Sequence, residues 1–79
     1  MNGKRKEILD YIISYVNKNK YSPSYREIVD NTSLKSVSSV NMYLNDLQDL
    51  GLLTFKKGIS RTIVLADGVD RNYVSKLVG

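Results

Sequence analysis

Residues 35–45 read KSVSSVNMYLN, a stretch rich in side chains that recognise hydrogen-bonding edges and poor in groups that make or break bonds. Ser36, Ser38, Ser39, Asn41 and Asn45 are short, neutral and able both to donate and to accept hydrogen bonds. Met42 adds a flexible apolar group among them. In the major groove of a duplex, an asparagine amide can pair with adenine N6 and N7. A serine hydroxyl can reach several bases, and an apolar side chain can meet a thymine methyl. The plainer reading is a solvated helix face. Serine and asparagine are mediocre helix formers, however, and Ala, Glu or Lys would serve solvation better. Their density here favours a contact surface.

Two further groups suit phosphate. Lys56, Lys57, Ser60 and Arg61 surround Gly58 in KKGISR, and Lys35 stands just ahead of the serine-rich stretch. Cations on a protruding loop fit phosphate or minor-groove contact. Lysine also blunts exposed strand edges, but the polar helix that precedes this loop favours the DNA reading. Ser24, Tyr25 and Arg26 follow Pro23 and place a hydroxyl, a phenol and a cation together, a combination common in backbone contacts. The pattern Ser24-x-x-Glu27 is also a capping box. The box accounts for Ser24 and Glu27 and leaves Tyr25 and Arg26 unexplained.

Composition removes most alternatives. The chain has 79 residues, which is one small domain, and contains neither cysteine nor histidine. Disulfides, thiolate metal sites, zinc fingers and imidazole catalysis are therefore excluded. The serines cluster without a partner base, and there is no glycine-rich phosphate loop. The expectation is a non-enzyme without cofactor or metal. No stretch approaches the roughly 18 apolar residues of a membrane span. The N-terminus, MNGKRKEIL, runs into an amphipathic pattern and not into an apolar signal core. A cytoplasmic location is expected. A domain of this size buries only about 60% of its unfolded surface, so aliphatic packing must carry its stability.

The elements that position these side chains are legible from periodicity. Ile8/Leu9, Ile12/Ile13 and Tyr15/Val16 mark a first helix over residues 4–18, with Asn2 as a possible cap. The segment NKNKYSP ends it, with Asn19 expected to take the left-handed cap. The capping box opens a short second helix, Tyr25 to Asn31, and Leu34 plugs the turn that follows. A third helix, about 36–50, turns Val37, Val40, Leu44 and Leu47 inward. Ser38, Ser39, Met42, Asn45, Asp46 and Asp49 then point away, Asn41 and Tyr43 flank the core, and Gly51 stops the helix. Strands over Leu52–Lys56 and Arg61–Leu65, joined by a turn at Lys57–Ser60, complete a hairpin whose Leu53, Phe55, Ile63 and Leu65 face the core. The fold class is mainly α with a small β-hairpin, a winged helix-turn-helix over residues 1–66. Residues 67–79 form a tail, either a linker or a short helix with Val69, Tyr73 and Leu77 on one side.

Charge agrees with a polyanion partner. The net charge is +4, with +3 over residues 1–20, −2 over 21–55 and +3 over 56–66. Asp46 and Asp49 sit late on the third helix, so its N-terminal half is the part that should dock. Together these features point to double-stranded DNA read in the major groove by the third helix, with a possible homodimer on a palindromic site through Tyr73, Val74 and Leu77. The rival readings are a winged helix that binds protein, and the DNA-binding part of a plasmid or phage replication or maintenance protein.

The chain resembles the N-terminal DNA-binding domain of the LexA repressor family. The resemblance lies in EILDYI, YSPSYREIV, SVSSVNMYLNDLQDLGLL and KGISRTIVL, and covers about Lys4 to Leu65. It implies a winged helix on operator DNA and transcriptional repression. Base contacts would come from Ser36, Ser38, Ser39, Asn41 and Met42, and wing contacts from Lys57 to Arg61. Ser33 and Lys20 stand where the family commonly has glycine, and Asn41 and Met42 where it is often acidic, which implies a different operator. Family members also carry a self-cleaving C-terminal peptidase with a Ser/Lys dyad, which dimerises them. The sequence to Gly79 does not include it, so a stand-alone regulator and a fragment are both open.

Overall fold

A computed structural model describes residues 3–67 and residue 69. Helix α1 spans Gly3–Asn19, α2 Tyr25–Asn31 and α3 Val37–Asp49, followed by strands β1, Leu53–Thr54, and β2, Val64–Leu65. The strands pair antiparallel, Leu53 opposite Leu65 and Thr54 opposite Val64. Three helices and a wing are thus arranged as the periodicity predicts. The expected cap Asn2 and the tail residues Tyr73, Val74 and Leu77 lie outside the described residues. Among those described, no helix is long and apolar enough to cross a membrane.

One aliphatic core joins every element. Ile8, Leu9 and Ile12 of α1, Ile28 of α2, and Val40, Leu44 and Leu47 of α3 are completely buried. Leu34 in the turn and Leu52, Leu53 and Ile63 in the wing close it. Two positions depart from the expected pattern. Val37 is 39% exposed, although helical spacing puts it on the face of Val40, Leu44 and Leu47. Leu52 is buried beside Leu53; it precedes β1, so strand alternation does not apply to it. Val69 also packs in the core, three residues past the expected domain end at 66.

The ends of the helices show how local chemistry sets their lengths. In α2 both halves of the capping box are formed, with Ser24 accepting from the Glu27 amide and Glu27 accepting from that of Ser24. Ser36 caps α3 by accepting from the Ser39 amide at 3.3 Å. Gly51 follows α3 with φ +78°, the left-handed conformation that glycine adopts without steric cost. At the end of α1 it is Lys20, not Asn19, that takes the left-handed conformation, with φ +68°. Asn19 remains helical, and its amide donates to the Tyr15 carbonyl at 3.1 Å. Lys20 instead donates its own N–H to the Val16 carbonyl at 2.8 Å, which closes the helix.

The wing differs most from expectation. Each strand holds two residues where five were expected, so the tip is a loop over residues 55–63. Side chains replace the ladder there. Thr62 Oγ1 accepts from the Lys56 amide at 2.9 Å and donates to the Ile59 carbonyl at 2.9 Å. Arg61 adopts φ +61° and Gly58 φ +79°, conformations that a continuous strand cannot contain.

Candidate nucleic-acid interface

The turn between α2 and α3 sets the angle at which α3 is presented. Thr32 Oγ1 donates to the Ile28 carbonyl and accepts from the Leu34 amide. Glu7 of α1 reaches across to Ser33, accepting from its amide at 3.0 Å and its hydroxyl at 2.6 Å. Lys4 Nζ also donates to that hydroxyl at 3.1 Å. Leu34 is meanwhile buried beneath the turn. The serine at 33 therefore anchors the turn to α1 through its side chain, a bond glycine could not make.

The N-terminal half of α3 is presented outward. Ser38 is exposed, and Met42 is 55% exposed. Ser36 is exposed but caps the helix, and its hydroxyl lies 3.2 Å from that of Ser39, which is half-buried. Asn45 is half-buried on the same side. Asn41 is half-buried too, with Oδ1 enclosed and making no hydrogen bond within the described residues. Farther along, the acidic charge expected to repel phosphate is reduced: Arg5 of α1 pairs with Asp46 at 3.5 Å. Periodicity places Arg5 on a helix but cannot say which helix it faces, so only tertiary packing reveals that contact.

Arg26, Lys35, Lys56 and Lys57 are exposed and take part in none of the ion pairs among the described residues. Ser60 is exposed at the wing tip. Ser24 is occupied as the α2 cap. Two members of the expected phosphate group have other surroundings. Tyr25 is 5% exposed, and its hydroxyl donates to the Lys56 carbonyl at 3.3 Å, tying α2 to the wing. Burial raises the pKa of that phenol, opposed by a hydrogen bond from the Gly58 backbone. Arg61 is exposed, its side chain to 44%, but its guanidinium bonds back onto α1 and α2. The sequence signal for this inward turn is weak, because the partner residues are remote from Arg61 in the chain.

The partners of Arg61 are chemically matched. Glu27 is held below its ordinary 4.5, first by the Ser24 amide, then, against an opposing effect of burial, by the Tyr15 hydroxyl, the Ser24 side chain and Arg61. For Tyr15 the largest effect is the Arg61 hydrogen bond, which lowers its pKa. Burial, Tyr21 and Glu27 together outweigh it, so the phenol titrates above its ordinary 10.0. Arg61 is raised, chiefly by that same Tyr15 bond. A carboxyl whose folded pKa is depressed contributes stability that is complete above its unfolded value and lost as pH falls through the folded value. The melting temperature is accordingly expected to fall as pH drops from about 6 to about 3, and Glu27→Gln to fall less steeply. Parallel melts of the two proteins across that range check this; equal slopes would remove Glu27 as a contributor.

The family model for the LexA DNA binding domain matches residues 2–62. The chain belongs to that family. Relatives include the LexA repressor of Ruminiclostridium cellulolyticum, 47% identical over 51 residues, which is 65% of this chain and 24% of the relative. The LexA repressor of Alkaliphilus oremlandii is 43% identical over 53 residues, 67% of this chain and 26% of the relative. That of Arthrobacter sp. is 48% identical over 50 residues, 63% and 20% respectively. The chain thus spans about a quarter of the length of the curated relatives it matches. Within the family's matched region, residues 2–62, lie α3, Arg26, Lys35, Lys56 and Lys57.

Proposed function

We propose that this protein binds double-stranded DNA sequence-specifically and represses transcription. The N-terminal half of α3 enters the major groove. Ser38, Ser39, Met42 and Asn45 meet base edges there, with Ser36 at the rim, and Asn41 joins them once its amide turns the enclosed Oδ1 outward. Arg26, Lys35, Lys56, Lys57 and Ser60 contact phosphate. The observation that carries this reading is an outward N-terminal half of α3 together with exposed cations that form no ion pair among the described residues, in a chain of the LexA DNA-binding domain family. Repression follows the relatives, which are named LexA repressors.

A single module buries about 600–1,000 Å² on DNA. Tight binding then requires two copies on a palindrome, which makes a homodimer on DNA part of this proposal. The test is selection of bound duplexes from a randomised pool, followed by affinity against salt. An enriched motif with a steep salt slope supports the reading, and a two-fold motif supports the dimer. No enrichment, with weak binding lost in modest salt, would favour a protein-binding winged helix instead. Asn41→Ala is expected to relax discrimination at one base pair and to cost about 1–3 kcal/mol on the selected site. Equal losses on all sequences would remove Asn41 from the base readers.

A further inference from the structure

The wing has too little ladder to fix its own direction. Leu53–Leu65 and Thr54–Val64 are paired, with one further backbone bond from the Ala66 amide to the Leu52 carbonyl at 2.9 Å, and so short a hairpin is not independently stable. Its tip is tied instead to the start of α2. On one side, the Tyr25 hydroxyl donates to the Lys56 carbonyl. On the other, Arg61 Nη1 donates to the Ser22 carbonyl at 3.0 Å and to the Tyr15 hydroxyl at 3.2 Å. Its Nη2 lies 2.9 Å from Glu27 Oε1, and the guanidinium carbon stands 5.1 Å from the centre of the Tyr21 ring. The Glu27 carboxylate completes the circuit by accepting from the Tyr15 hydroxyl at 3.0 Å and the Ser24 amide at 2.9 Å.

We propose that Arg61 is a positioning residue, which with Glu27, Tyr15 and Tyr21 latches the wing to α1 and α2 and so places Lys56 and Lys57 on DNA. The proposal rests on the DNA-binding reading above. A phosphate contact would need the guanidinium to face outward, whereas here two of its nitrogens face the protein. The backbone at Arg61 is left-handed, φ +61°, a conformation uncommon in a residue with a Cβ, and the bonds of its guanidinium offset that cost. Lysine cannot replace Arg61. A single ammonium offers neither the fork that spans Ser22, Tyr15 and Glu27 nor the flat face that lies over Tyr21.

Arg61→Lys, Arg61→Ala and Glu27→Gln separate position from charge. DNA affinity is measured against salt on the selected duplex, and wing amide hydrogen exchange is measured without DNA. Arg61→Lys is expected to lose nearly as much affinity as Arg61→Ala, about tenfold each, with the salt slope little changed in both. Glu27→Gln removes a negative charge, which by long-range attraction alone would tighten binding to a polyanion. The latch requires that it weaken binding, and glutamine still completes the capping box, so α2 remains formed. Amides of residues 56–62 should exchange faster in Arg61→Lys and Glu27→Gln. Should Arg61→Ala fail to fold, these two milder variants decide.

The proposal is overturned if Arg61→Lys binds like the parent while Arg61→Ala lowers the salt slope by about one, the signature of a phosphate contact. Tighter binding by Glu27→Gln overturns it as well. If the parent protein binds no DNA, the proposed function fails on its own. Hydrogen exchange then judges the latch alone: faster wing exchange supports it, and unchanged exchange removes it.

Discussion

Leu44→Ala is expected to lower the stability of the protein by about 2–5 kcal/mol, the range for truncating a fully buried leucine. Leu44 is completely buried in α3, the helix that packs against α1, α2 and β1. The cost has two parts, lost transfer of the removed carbons from water and the cavity that remains. Domains of this length have a total stability of roughly 4–12 kcal/mol, so one such loss is a large share of it. With neither cysteine nor histidine in the chain, no disulfide or histidine-bound metal offsets the loss. Chemical denaturation of the two proteins measures it. Met42→Ala is the matched control, because Met42 is 55% exposed on the same helix and should change stability by less than about 0.5 kcal/mol. Similar losses at both positions would mean that α3 is not the central packing element.

Ser38→Glu is expected to leave the fold intact and to reduce DNA affinity about a hundredfold, close to 3 kcal/mol. Ser38 is exposed in the first turn of α3, which contains no acidic residue. A carboxylate there interacts favourably with the helix dipole, so the melting temperature should hold or rise slightly. The same carboxylate in the major groove faces phosphate charge and acceptor-rich base edges, and like-charge juxtaposition costs several kcal/mol. Stability and affinity therefore move in opposite directions, which no general damage to the protein can imitate. Thermal melts and titration of the selected duplex read the two quantities. Unchanged affinity with a normal melt would show that α3 does not dock on DNA.

The parts legible in the sequence are those whose causes are local. The second helix begins at Tyr25 because Ser24 and Glu27 exchange hydrogen bonds three residues apart, and that spacing can be read directly. The inward row Val40, Leu44 and Leu47 follows from 3.6-residue periodicity, and the stop at Gly51 from its freedom to take φ +78°. Local rules failed at the end of α1 and in the wing. Asn19 is intrinsically the better left-handed residue, yet Lys20 takes that conformation because its N–H closes the helix on Val16. The strands were overestimated because propensity ignores the left-handed turn at Arg61 and the hydrogen bonds that Thr62 substitutes for a ladder.

The candidate interface divides in the same way. An outward Ser38 and Met42 follow from helix geometry alone, since about 100° per residue places them opposite the buried row. By itself, then, the sequence determined a three-helix core with a wing, the order of its elements and the outward face of α3, because each depends on residues within a few positions of one another. Only the tertiary structure decided that Arg5 pairs with Asp46, that Glu7 anchors the turn at Ser33, that Tyr25 is buried, and that Arg61 folds back onto Glu27. Those contacts join residues far apart in the chain, and their partners are chosen by which surfaces the shared core brings together, which no local pattern encodes.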